Sequence, residues 1–227
     1  MGKLHAFLTA AAAALLIAPL SLDAQPYSTS WPYLYSDFKE GTIYMQGGQK
    51  MECRLNIHLL DGRLHYLDKD SVVREPMPDV ILYFETGDEK FTTIGKEAMC
   101  VEAKCPGGYV ACLITGDFDA LMVGTGAYGS PAHTMSIRQY TSIDLKPGAN
   151  TSYTQLIKDR HNGKEVNLLK EYYIVMGDQV YPALRGDIER DLPKERRKEF
   201  RNFIKEHKIK WNDPQKLILL VEFLTAE

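Results

Sequence analysis

The sequence predicts a mainly β protein, an antiparallel meander forming a sandwich or a partly open barrel, with a C-terminal helical hairpin packed on it. Three observations carry that reading. Short runs of β-branched and aromatic residues recur between residues 38 and 184, and two-residue Gly, Asn and Asp turn signals that suit the twist of antiparallel strands separate them. After Asp187 the apolar residues recur at helical spacing instead.

The chain opens with Lys3, the apolar run Ala6 to Leu20 and small residues near Ala24. That pattern predicts a secretory signal peptide over residues 1–24, and the run is too short for a durable membrane span. No cysteine stands at the junction for lipid attachment. The expected product therefore starts at Gln25 and is periplasmic or associated with the cell surface, without a lipid anchor or a transmembrane span.

Removing residues 1–24 from 227 leaves 203, and a hydrophobic content of 44% is that of a globular chain able to bury its own core. The net charge of −3 shows no bias toward nucleic acid. A soft boundary is expected near residue 160. It separates an antiparallel β domain over 25–160 from a β-hairpin with two helices over 161–227, and the two parts are compatible with one continuous domain.

Gly47-Gly48 divides Thr42 to Met45 from Met51 to Leu55, and Asp61-Gly62 divides Leu55 to Leu59 from Leu64 to Leu67. Leu55, Ile57 and Leu59 alternate with Asn56 and His58, which predicts one buried and one wet face and makes His58 a surface residue. Thr86-Gly87-Asp88, Pro106-Gly107-Gly108, Asn162-Gly163 and Gly177-Asp178 mark further turns, giving roughly ten strands by this turn spacing. The unbroken apolar run Tyr109 to Ile114 reads as a strand buried on both faces.

Asp191-Leu192-Pro193 opens an amphipathic helix with Phe200, Phe203, Ile204 and His207 on its apolar stripe, reaching Trp211. Asp213-Pro214 then supplies an N-cap and a proline at the first helical position for a second helix through Leu224. From Pro193 to Trp211 the first of these helical segments holds eight basic residues against three acidic ones, a local charge of +5. Arg196, Arg197, Arg201 and Trp211 are its candidate binding residues, fitting an anionic surface, an acidic glycan or an acidic protein.

Four cysteines, Cys53, Cys100, Cys105 and Cys112, allow two disulfides in any of three pairings. The turn at Pro106 to Gly108 makes Cys105 with Cys112 the expected local bond. Neither a Cys-x-x-Cys pair nor a histidine at ligand spacing predicts a metal site, and nothing predicts a cofactor.

Residues Gly124, Gly126, Tyr128 and Gly129 belong to a Gly-x-Gly-x-x-Gly string, but Ser130-Pro131 follows where a dinucleotide site needs a helix. The stretch 124–133 is read as a glycine-rich loop facing a ligand or partner. Asp117, Asp119 and His133 are the only candidate catalytic set, two carboxylates and an imidazole that a hydrolase would use. Asp68 and Asp70 read as turn residues, since a calcium loop needs a longer run of acids.

Ala24-Gln25, Phe38-Lys39-Glu40-Gly41-Thr42-Ile43, Tyr172-Tyr173-Ile174-Val175 and the tail Phe203 to Trp211 together resemble uncharacterised secreted β-rich proteins of Bacteroidota. The resemblance implies a periplasmic or surface-associated protein and brings no catalytic residues with it. The functional expectation is a non-enzymatic cell-envelope protein that binds a partner protein, a glycan or an anionic surface. A secreted hydrolase acting on peptide or glycan, and a small-ligand carrier using a barrel interior, are the alternatives.

Overall fold

The computed structural model describes residues 32–118 and 166–225. Ten strands form one antiparallel sheet: β1 (Lys39–Met45), β2 (Lys50–His58), β3 (Arg63–Leu67), β4 (Val73–Arg74), β5 (Ile81–Thr86), β6 (Glu89–Ile94), β7 (Glu97–Cys105), β8 (Gly108–Gly116), β9 (Leu168–Met176) and β10 (Gln179–Pro182). Their order across the sheet is β10-β9-β8-β7-β6-β5-β1-β2-β3-β4. Three helices follow, α1 (Arg185–Asp191), α2 (Lys194–Glu206) and α3 (Pro214–Thr225).

The sheet is open, yet it curls. The carbonyl of Gly62, in the turn between β2 and β3, accepts a hydrogen bond from the Ala98 amide of β7 at 2.7 Å. Gly62 has φ +68°, and a Cβ there would lie 2.6 Å from Leu113 Cδ1, so both the turn and the close approach call for glycine. The Asp61-Gly62 signal thus sets the point where the sheet folds back on itself.

One face carries most of the core. Ile43, Leu55, Ile57, Phe84 and Phe91 have between 0% and 1% of their surface exposed. The rings of Phe84 and Phe91 stack at 4.9 Å across β5 and β6. Further along, Val110 of β8 and Ile174 of β9 join Ile188, Phe200, Leu217, Leu220 and Val221 of the three helices in a second cluster. The run Val110 to Leu113 is buried on both faces, as its unbroken apolar character predicts.

The wet face predicted for β2 is not wet at Asn56, which is 1% exposed. The segment 32–38 runs beside β2 with Leu34 donating to the Ile57 carbonyl and Leu59 donating to the Pro32 carbonyl, at 2.9 and 2.7 Å. Tyr33 and His58 bridge between those bonds, and beyond Leu34, where Tyr35 to Asp37 follow, the Asn56 side chain supplies the partners. Its Oδ1 accepts from the Tyr35 amide at 3.1 Å, and its Nδ2 donates to the carbonyls of Tyr35 and Asp37 at 2.9 and 3.1 Å.

The helical end departs from a simple hairpin in two ways. α1 is an additional short helix, and α2 stops at Glu206 instead of reaching Trp211. Lys208 takes φ +49° there, which turns the chain so that Ile209 is buried and Trp211 packs against the helical core. Asp213 caps α3 as its sequence predicts, its Oδ1 accepting from the amides of Gln215 and Lys216 at 3.0 and 3.3 Å. The predicted boundary at 160 lies outside the described residues, and β9 and β10 belong to the same sheet as the earlier strands.

Candidate functional site

The outer face of α2 is where the structure concentrates free positive charge. Phe200 is fully buried, and Phe203, Ile204 and His207 are half-buried, which fixes the orientation of the helix. At 3.6 residues per turn, Lys194, Lys198, Arg201 and Lys205 then share one stripe about 60° wide. Glu195, Glu199 and Glu206 fall in a second stripe whose centre is roughly 110° away. All seven residues are exposed.

Two arginines of this segment bond backbone carbonyls, and the third, on the outer stripe, is paired with an acid. Arg196 Nη2 donates to the Phe223 carbonyl at 2.8 Å, with its guanidinium 5.1 Å from the Phe223 ring, and so ties α2 to α3. Arg197 donates to the carbonyls of Leu192 and Arg190 at 3.0 and 2.9 Å, closing the end of α1. Arg201 Nε donates to Glu189 at 2.6 Å, and that pair holds the Glu189 carboxyl below and the Arg201 guanidinium above their ordinary pKa values. Among the described residues no acid stands within ion-pair distance of Lys194, Lys198 or Lys205. The charge left for a partner therefore belongs to the lysines.

A second cluster sits where the segment 32–38 meets β2 and β3. His58 Nδ1 lies 3.0 Å from Asp61 Oδ1, Arg63 Nε lies 3.2 Å from Asp61 Oδ2, and Arg63 also bonds Glu75 at 3.0 Å. The imidazoles of His58 and His65 stack at 5.1 Å, and Tyr33 turns its ring edge on both. Burial raises the Asp61 carboxyl, but the His58 bond and charge, with Arg63 beside them, outweigh it and hold the group below its ordinary range. Burial, then the His58 charge, lowers the His65 pKa. His58 is not the surface residue that strand alternation predicts, since only 17% of its side chain is exposed.

The catalytic set read from sequence is placed only in part. Asp117 follows β8 and its amide donates to the Asn167 carbonyl at 2.8 Å. Asp119 and His133, and the loop residues Gly124, Gly126, Tyr128 and Gly129, lie outside the described residues. Asp68 is a turn residue as read: its Oδ1 accepts from the amides of Asp70 and Val72 at 3.0 and 2.9 Å, and Arg74 Nε bonds its Oδ2 at 2.9 Å.

The expected Cys105 to Cys112 bond is overturned by register. Cys105 stands opposite Gly108, whereas Cys112 is four residues further along β8, a distance of about 13 Å at the rise of a strand. Cys105 packs with the helical core and Cys112 with Leu59, Ile114 and Phe118, in a separate cluster. All four cysteines are free thiols in this structure.

Side chains fill the core face of the sheet. A small, partly open pocket of about 10 Å³ lined by Arg63, Leu64, Thr93 and Ala98 is the size of one water. An open acidic depression of about 380 Å³, lined by Glu40, Glu52 and Glu85, lies elsewhere, on β1, β2 and β5. Among the described residues no helix is long and apolar enough to cross a membrane, and no group of histidine, cysteine and acidic side chains is arranged to hold a metal. Set against protein-family models, curated proteins and solved structures, the chain matches none.

Proposed function

We propose that this protein is a non-enzymatic, extracytoplasmic binding protein that holds an acidic glycan chain along the lysine stripe of α2. The observation that carries the reading is the separation of charge on that helix. Lys194, Lys198 and Lys205 project from one side over about 17 Å, the rise of eleven helical residues. A linear polyanion matches such a row.

Two other anionic partners fit it less well. A lipid plane would meet the neighbouring row of Glu195, Glu199 and Glu206, and membrane-lying helices also insert apolar side chains that α2 instead turns inward. A protein partner needs a desolvated aromatic or aliphatic anchor, and Phe200, Phe203 and Ile204 are spent on the core. The packed core face of the sheet supports binding on the surface over carriage in an interior.

The test is titration calorimetry of the full chain with polygalacturonate, a linear polyuronate, and with a neutral polysaccharide of similar length. Binding is expected to the polyuronate alone, to weaken steeply with salt, and to fall tenfold or more in K194E/K198E/K205E. The control K69E/K96E/K104E, which reverses three exposed lysines elsewhere, is expected to bind as the parent does. Equal loss in both triple variants, or no binding at low salt, would refute the reading.

A further inference from the structure

Cys100 and Cys112 are direct partners in the ladder between β7 and β8. Residues so opposed in an antiparallel pair have Cα atoms about 4.5 to 5.5 Å apart, a backbone span that disulfides bridge, although the two sulfurs stand apart as free thiols in this structure. Both side chains belong to one cluster with Leu59, Ile114, Phe118 and Tyr172. The other two cysteines have no such partner, since Cys53 opposes Gly41 and Cys105 opposes Gly108. Cys53 also packs in a different part of the core from Cys105.

We propose that Cys100 and Cys112 form a structural disulfide that staples β7 to β8 when the chain folds in the presence of a disulfide oxidant. This site is independent of the glycan reading. In the step, a thiolate of the pair attacks the oxidant's sulfur–sulfur bond, giving a mixed disulfide and releasing one thiol. The second cysteine, as thiolate, then attacks the protein-side sulfur, so that the Cys100–Cys112 bond forms and the oxidant leaves as a second thiol. The pair loses two electrons and two protons, and the oxidant gains both. Oxidised glutathione or a thiol oxidoreductase supplies this chemistry.

The surroundings make the bond structural and not a switch. Cys112 has no exposed surface. Burial first, and Glu102 next, push the Cys100 thiol up to about 12, and the same two influences raise Cys112. Few thiolates exist at neutral pH in the folded chain, and Cys112 is closed to an incoming thiol while Cys100 is partly covered. Lys170 and Glu102, paired at 3.1 Å, close one side of the cluster. The bond therefore forms while the strands assemble and exchanges slowly afterwards.

The experiment uses the full chain, reduced and unfolded, then refolded in a mixture of oxidised and reduced glutathione. Free thiols are alkylated, and the protein is digested with trypsin and chymotrypsin, which cut after Lys104 and Tyr109 and so separate Cys100, Cys105 and Cys112. A peptide linking Cys100 to Cys112, with Cys53 and Cys105 alkylated, is the expected result. C53A/C105A is expected to form the same link, and the linked protein to melt at least about 5 °C above its reduced form. Linkage of Cys112 to Cys105, four alkylated thiols, or equal melting of the two forms would overturn the proposal.

Discussion

The Tyr33 hydroxyl lies 3.0 Å from Nδ1 of His65, so the segment ahead of β1 is fastened to β3 through a titratable ring. After burial, the charges of His58 and Arg63 lower the His65 pKa, and those of Asp61 and Glu75 raise it. Its folded pKa is lowered, so the folded state binds fewer protons than the unfolded chain as pH drops below about 6.5. Stability from this source is full above that pH and declines through the window beneath it, down to the folded pKa. Melting temperature measured between pH 7.5 and 5 is expected to fall, and H65Q to flatten that part of the curve.

Asp61 acts at lower pH. Its folded pKa is depressed, so its contribution is complete above the ordinary carboxylate value near 3.9 and is lost as pH falls through the lower folded value. The parent is expected to lose its advantage over D61N only below about pH 4, so that the two melting curves converge there. Parallel curves down to pH 2 would show that His58 and Arg63 do not hold the carboxylate as the geometry states.

Asn56 replaces missing backbone partners, and its removal leaves the Tyr35 amide and the Tyr35 and Asp37 carbonyls without that partner in a partly buried place. N56A is expected to cost about 3 kcal/mol in urea unfolding. N56D should cost at least as much, because a carboxylate would face two carbonyl oxygens it cannot bond. A loss under 1 kcal/mol for both would mean the segment 32–38 is not anchored there.

Gly41 lies where β1 is flanked by β2 and β5. A Cβ at this position would lie 2.5 Å from the Glu85 carbonyl oxygen and 2.6 Å from Leu55 Cδ2. The first of these is backbone and cannot swing aside. G41A is expected to destabilise the fold by about 2 to 3 kcal/mol, measured by urea unfolding with unchanged m.

Arg196 and Lys198 are two residues apart and have different tasks. R196A removes the bond to the Phe223 carbonyl and the contact with its ring, and is expected to lower stability by about 1 to 2 kcal/mol. Polyuronate affinity should stay within about twofold, since Arg196 points at α3. A tenfold loss of affinity in a stable R196A protein would move the site to the inner side of the helix.

The turns were the most legible part of the sequence. Gly47-Gly48, Asp61-Gly62 and Gly177-Asp178 each demand backbone geometry that few residues allow, and each falls between the strands it was expected to separate. The Asp213 cap was equally plain, because its partners are two and three residues away. Contacts made across long stretches of chain were not legible. Asn56 looks like a wet-face residue until residues 35–37 are seen covering it, and the pairing of His65 with Tyr33 spans 32 residues. The charge of α2 was visible as a sum. Its division into partnered arginines and free lysines required the carbonyls of Leu192, Arg190 and Phe223 and the carboxylate of Glu189 to be in place. Cysteine pairing failed for a related reason: nearness in sequence favoured Cys105 with Cys112, whereas strand register opposes Cys112 to Cys100.

The most direct test of the proposed binding stripe is a lysine footprint. The full chain is labelled with an amine-reactive reagent in the absence and presence of polygalacturonate at low salt, and each lysine is read by mass spectrometry. Lys194, Lys198 and Lys205 are expected to be protected by the polymer, with Lys69, Lys96 and Lys104 labelled as before. Uniform labelling with and without polymer, or protection confined to lysines outside α2, would contradict the account.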